Sequence, residues 1–157
     1  MKKLSKREGL AVAVGLGLLT YTFYSDQILA LFNNSTPKQN MDNTELPASG
    51  IKIQEVVIGK GPVASAGDKI TAHYVGKLPN GQVFDSSVDR NVPIQFTLGV
   101  GQVIRGWDEG ITGMREGGKR ILKIASDYGY GGRAVGAIPA NSTLIFEVEV
   151  LKIDKAQ

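Results

Sequence analysis

The 157-residue chain contains no cysteine and a single histidine, His73. Those shortages remove disulfides, thiolate metal ligands, cysteine nucleophiles and His-rich zinc sites. A surplus of one charge sign is also missing once the amino-terminal end is read separately. Lys2, Lys3, Lys6 and Arg7 against Glu8 give the first eight residues +3, which is the formal charge of the whole chain. Taken from totals of 18 basic and 15 acidic, this leaves 14 of each in the remainder. That balance weighs against a phosphate-tracking surface. What is present is apolar matter for one core, 42% of the residues, at a length of one ordinary domain plus an appendage.

The appendage is the amino-terminal part. A basic region, residues 1–8, precedes an uncharged apolar run from Gly9 to Tyr24. As a helix its sixteen residues would reach about 24 Å, short of a ~30 Å hydrocarbon core. Continuation to Phe32 lengthens it and places Tyr21, Phe23 and Tyr24 as interfacial aromatics. Cleavage by a signal peptidase wants small residues at −3 and −1, and Phe23/Ser25, Ile28/Ala30 and Asn33/Ser35 fail that pattern. The reading is an uncleaved signal-anchor over residues 9–32, with the following domain exported to a periplasmic, extracellular or lumenal side. Secretion after cleavage is the alternative. Residues 33–49 are polar, hold two prolines and show no apolar period, which makes them a flexible linker of roughly 20–25 Å average span.

From Gly50 to Gln157 the signals are mostly those of strands. Ile51–Ile58, Lys69–Lys77, Pro93–Leu98, Lys119–Ala125 and Thr143–Ile153 are rich in β-formers, and Pro79-Asn80-Gly81 marks a hairpin. In the second run Ile70, Ala72 and Tyr74 share a face; in the last, Leu144, Phe146, Val148 and Val150 do, with Glu147 and Glu149 opposite. One side of the sheet is therefore expected to be solvated. The one helical candidate in this region is short, Ile104 to Ile111, with Ile104, Trp107 and Ile111 on one face and Gly113 beyond its end. An antiparallel sheet packed on one helix, an α+β domain, covers both elements.

Chemistry-bearing residues are scarce and aromatic ones are grouped. Tyr74, Phe84, Phe96, Trp107, Tyr128, Tyr130 and Phe146 would each pass for core alone. Asp85 next to Phe84, and the glycine-rich loop that presents Tyr128 and Tyr130, point instead to a dry, aromatic-lined pocket. His73 lies on the face opposite Tyr74 and is read as structural or solvated, without a partner. Asp108 and Glu109 read as a solvated helix face. Gly99-Val-Gly101 lacks the third glycine of a dinucleotide fingerprint, so neither a cofactor nor a metal is assigned.

Seven segments taken in order carry a resemblance: His73-Tyr-Val-Gly-Lys-Leu78, Val83-Phe-Asp-Ser-Ser87, Gln95-Phe-Thr-Leu-Gly99, Val103-Ile-Arg-Gly-Trp-Asp-Glu-Gly110, Asp127-Tyr-Gly-Tyr-Gly131, Ile138-Pro139 and Thr143-Leu-Ile-Phe-Glu-Val148. Over Gly50 to Ile153 the chain resembles the FKBP family of peptidyl-prolyl cis-trans isomerases. The resemblance implies a twisted antiparallel sheet of five to six strands wrapped around one short helix, with a pocket between. It implies Trp107 as the floor, Tyr74, Phe84, Phe96, Val103, Ile104 and Phe146 as walls, and Tyr130 and Ile138 as rim. The Ile104 N–H and the Tyr130 hydroxyl would donate to substrate carbonyls, and Asp85 would accept at the edge, paired with Arg90.

Two departures from the family pattern bear on specificity. Ile94 stands where many members have an aromatic wall residue. The loop between Tyr130 and Pro139 is one residue shorter than in small single-domain members, with Ala134 near the place of a rim histidine. The implied partners are Xaa-Pro segments of unfolded or flexible proteins and macrolide inhibitors of the family, with a monomeric domain and no nucleic acid. The expected function is a folding helper for exported or membrane-proximal proteins. The alternative is a non-catalytic binding module for a proline-containing partner segment.

Overall fold

The computed structural model describes residues 50–157; the expectations for the basic tail, the signal-anchor and the linker (1–8, 9–32 and 33–49) lie outside the described residues. Among the described residues no helix is long and apolar enough to cross a membrane.

Among the described residues six strands and one α-helix follow in chain order: β1 (Ile51–Val57), β2 (Lys69–Lys77), β3 (Val83–Ser86), β4 (Ile94–Thr97), α1 (Arg105–Ile111), β5 (Lys119–Ile124) and β6 (Leu144–Asp154), with a 3-10 turn Ser126–Tyr128 between the last two. All pairings are antiparallel, in the order β1-β5-β6-β2-β3, with β4 also on β2. β3 pairs with Val75, Gly76 and Lys77 of β2, whereas β4 pairs with Lys69 to Ala72. The two short strands thus occupy one lane of the sheet, interrupted by the excursion 87–93. This is the expected α+β architecture. The sequence pattern marks β4 and the hairpin before β3, and the shared lane is what pairing adds.

Alternation places the core. On β2, Ile70 and Ala72 are fully buried; on β6, Leu144, Phe146, Val148 and Val150 are buried, while Glu147 and Glu149 face outward with partial exposure. The period breaks once, where Ala72 pairs with Val150 and Thr71 with Lys152, leaving Leu151 unpaired. That bulge returns Ile153 to the core instead of Lys152.

The helix lies on β5 because it carries glycine at i and i+4. A methyl on Gly106 would come within 2.5 Å of Ile124, and one on Gly110 within 2.9 Å of Leu122. Without side chains there, α1 sinks onto those two fully buried residues, and Trp107 and Ile111 enter the core. Ile104 caps the helix in an extended conformation (ψ 149°) one residue before its first turn. At the other end Arg120, 9% exposed, donates to the carbonyls of Gly110 (2.8 Å) and Thr112 (3.0 Å) and pairs with Glu55 at 2.5 Å. A guanidinium from the sheet therefore satisfies carbonyls that the end of a helix leaves open.

Candidate active site

Between α1 and the β2–β3–β6 part of the sheet lies a cavity of about 400 Å³, in the size range of small-molecule sites. Its base is a cluster of rings. Trp107 meets Tyr74 edge to face at 5.1 Å and Phe146 at 5.3 Å, and Phe84 meets Phe146 at 5.5 Å. Such near-perpendicular pairs suit the ring quadrupoles and hold one another's rotamers. Trp107 is 3% exposed, and its indole N–H is buried without a hydrogen-bond partner.

Phe84 reaches this cluster through a local irregularity. Gly76 pairs with Asp85 and Lys77 with Val83, so Phe84 is the extra residue of a bulge. A bulge re-aims its side chain. Gly76 leaves the space the ring takes: a methyl there would lie 2.6 Å from Phe84 and 2.9 Å from Phe146.

The polar edge is a three-residue network. The Tyr74 hydroxyl donates to Asp85 Oδ2, Arg90 Nη1 bonds Asp85 Oδ1, and Arg90 Nη2 donates to the Tyr74 hydroxyl at 3.2 Å. Burial pushes the Asp85 carboxyl up, but the bonds from Tyr74 and Arg90 outweigh it and hold the group below its ordinary value. Burial, and then the Asp85 carboxylate, push the Tyr74 phenol above its ordinary value. At neutral pH the pair is therefore a protonated phenol donating to an ionised carboxylate.

Ser87 anchors the excursion that carries Arg90. Fully buried, its N–H donates to the Tyr74 carbonyl at 3.0 Å, and its Oγ accepts the Tyr74 N–H at 2.8 Å. His73 Nδ1 also lies 2.9 Å from Ser87 Oγ. The expectation that His73 has no partner is thus corrected: the excursion crosses the edge of β2 and brings a hydroxyl to it.

Besides the Trp107 indole N–H, the Ile104 N–H and the Tyr130 hydroxyl at the cavity have no partner among the described residues. The Ile104 N–H is free because the residue sits ahead of the first helical turn, where an N–H has no carbonyl behind it. Its own carbonyl accepts from Trp107 at 2.9 Å and Asp108 at 3.2 Å.

Residues 61–151 match the family model described as FKBP-type peptidyl-prolyl cis-trans isomerase. The chain belongs to that family. An FK506-binding protein of Neisseria meningitidis serogroup B is 57% identical over 105 residues, covering 66% of this chain and 96% of the relative. A peptidyl-prolyl cis-trans isomerase of Schizosaccharomyces pombe is 53% identical over 107 residues, covering 67% and 96%. The crystal structure of AtFKBP13 superposes with a TM-score of 0.63 at 45% identity, over 67% of this chain and 94% of that one.

In this FKBP-type domain the cavity is lined by nine of the residues expected from sequence: Tyr74, Phe84, Asp85, Ile94, Val103, Ile104, Trp107, Tyr130 and Phe146. Three expected residues stand elsewhere. Phe96 is 4% exposed and packs behind Trp107 at 5.7 Å, because β4 pairs it with Ile70, two positions further from Tyr74 than Ile94. Ile138 is 5% exposed and belongs to the core instead of the rim; it closes a tight turn by two bonds of 2.9 Å with Val135. Arg90 reaches the site through Asp85 and Tyr74 and does not line the cavity.

Gln102 also lines the cavity, a place that the sequence pattern does not mark. Its amide oxygen accepts the Thr97 N–H at 2.8 Å, a local return that no periodic signal announces. Asp108, expected on a solvated face, instead accepts the N–H groups of Gly99 (2.8 Å) and Gly101 (3.0 Å).

Proposed function

We propose that this isomerase acts on Xaa-Pro bonds in exported or membrane-proximal proteins. Trp107, Tyr74, Phe84 and Phe146 enclose the proline ring, while the Ile104 N–H and the Tyr130 hydroxyl take the neighbouring carbonyls. The observation that carries this reading is the pairing of an aromatic cavity with the free Ile104 N–H and Tyr130 hydroxyl at it.

Rotation about a peptide bond faces a barrier of ~18–20 kcal/mol because conjugation is lost, and Xaa-Pro bonds isomerise in tens to hundreds of seconds. The twisted amide is less polar than either planar isomer. Transfer into an apolar, water-poor cavity therefore disfavours the planar amide relative to the twisted one, with no proton moved and no covalent bond made. A donor at Ile104 fixes the chain on one side of the rotating bond. Tyr74, Asp85 and Arg90 keep the polar edge in one arrangement, so the cavity is shaped before substrate arrives. The uncharged apolar run from Gly9 to Tyr24 supports the exported setting, and the names of the FK506-binding relatives support a macrolide as a competing occupant.

The test is isomerisation of a short Xaa-Pro peptide by the full chain beside Phe84→Ala and Trp107→Ala. The expected result is acceleration by wild type and a fall of at least about tenfold in kcat/KM for correctly folded Phe84→Ala. A folded wild type without acceleration would refute the catalytic reading. A carboxy-terminal fusion to a reporter enzyme active only outside the cytoplasm tests the setting; a stable fusion without reporter activity would refute it.

A further inference from the structure

The segment between β4 and α1 supplies Gln102, Val103 and Ile104 to the cavity; Leu98, Val103 and Ile104 pack on the core at its two ends, but the stretch between them does not. Gly99, Val100, Gly101 and Gln102 are all exposed, Val100 at 57%. Polar contacts shape it, and most converge on one residue of the helix. Asp108 Oδ1 accepts the Gly99 N–H at 2.8 Å and Oδ2 accepts the Gly101 N–H at 3.0 Å. The Asp108 backbone N–H donates to the Ile104 carbonyl at 3.2 Å. Both amides belong to glycines with positive φ, 78° and 74°, where other residues are strained. No lysine or arginine pairs with Asp108 among the described residues, so these amides are what its charge serves.

We infer that Asp108 is a positioning residue of the isomerase: its carboxylate holds the 99–103 loop in the shape that presents Val103 and the Ile104 N–H to the substrate. The inference rests on the reading of the cavity given above. It assigns Asp108 no contact with substrate. Val103 and Ile104 would touch the bound chain in the planar and the twisted state alike, so loosening them removes binding common to both and raises KM more than it lowers kcat.

The experiment compares full-length wild type, Asp108→Asn, Asp108→Glu and Glu109→Gln with one Xaa-Pro peptide. Asn keeps the shape of Asp but turns an amide donor toward one of the two glycine N–H groups. The expected result is a rise of about tenfold in KM, the order carried by one lost charge-assisted hydrogen bond, with kcat within about twofold. The Gly99 and Gly101 amides should also exchange faster with solvent. Asp108→Glu, with both oxygens on a longer stem, should recover most of the loss. Glu109→Gln, which only releases Arg105 on the outer face, should match wild type.

Faster exchange at both glycines with unchanged KM would overturn the inference, because the loop would then be free without consequence. So would a loss of activity that merely tracks the unfolded fraction. Peptide binding to wild type, read from the fluorescence of Trp107, the only tryptophan, separates the two levels. A folded wild type that neither binds nor isomerises the peptide overturns the cavity reading and this inference together. An active wild type beside an indifferent Asp108→Asn overturns the inference alone.

Discussion

Gly76→Ala adds one methyl group where two walls of the cavity meet. The new carbon would sit 2.6 Å from Cε2 and Cζ of Phe84 and 2.9 Å from Cε1 of Phe146. Carbon atoms rest at about 3.5–4.0 Å, so one or both rings must retreat by about 1 Å. Phe146 is 4% exposed and locked against Trp107 and Tyr74, whereas Phe84 is half-buried and borders open space. Phe84 is therefore the ring that moves, and it moves at the expense of the cavity. Overpacking of this kind costs about 1–3 kcal/mol, reduced by the ~0.4–1 kcal/mol gained when a glycine leaves the unfolded chain. A misplacement of about 1 Å in a site can cost up to ~100-fold in rate. The expected outcome is a domain that melts only roughly 4–10 °C lower but loses most of its kcat/KM. Gly81→Ala is the comparison. Gly81 has open space around its would-be methyl but a φ of 87°, so alanine there costs about 1–2 kcal/mol in backbone strain and touches no wall. Melting curves and isomerisation of an Xaa-Pro peptide, corrected for folded fraction, distinguish the two. Near wild-type activity in Gly76→Ala, or an equal loss in Gly81→Ala, would refute the packing argument.

Three further substitutions test other parts of the scaffold. Arg120→Leu strands the Gly110 and Thr112 carbonyls and should cost about 2–4 kcal/mol in denaturant unfolding, with activity per folded molecule unchanged. Asp68 tests acid stability: the Lys155 ammonium first, then the Ala156 N–H, lower its carboxyl from 3.8 to about 2, against the opposing effect of burial. A folded-state value below the unfolded one means stability fully present above about pH 4 and lost as pH falls toward 2, so Asp68→Asn should be less stable at pH 6 and converge with wild type near pH 2. Ser87→Ala leaves the buried Tyr74 N–H without its side-chain acceptor and should lower stability by about 1–3 kcal/mol; it should also lower kcat/KM, because the excursion holding Arg90 against Asp85 loses its clasp. Unaltered kcat/KM in that variant would show that Arg90 is placed by something other than Ser87.

β1, β2, β4, β5, β6 and the helix were legible because each leaves a local pattern in the sequence; β3 leaves none of its own, and most of the cavity lining was legible only through the resemblance of seven segments to the FKBP family. Inward residues two apart on β2 and β6 name a face, and Trp107 with Ile111 names a helix side. A face, however, is not a place along it. Phe96 and Ile94 point to the same side of β4, and only the pairing with β2 decides that Ile94 meets the cavity and Phe96 supports Trp107 from behind. The bulge at Phe84 likewise follows from register, although Gly76 was its trace in the sequence: a residue kept small where two aromatic rings must meet. Bonds closed through loops leave weaker traces still. Gly99-Val-Gly101 lacks the third glycine of a dinucleotide fingerprint, and that pattern says nothing of what its amides do. Its two N–H groups do enclose an anion, but the anion is the carboxylate of Asp108, nine and seven residues away in the same chain. A pair of glycines with positive φ ahead of a helix therefore asks which negative group its amides face, and an acidic residue in the first turn of that helix is a candidate before any ligand is.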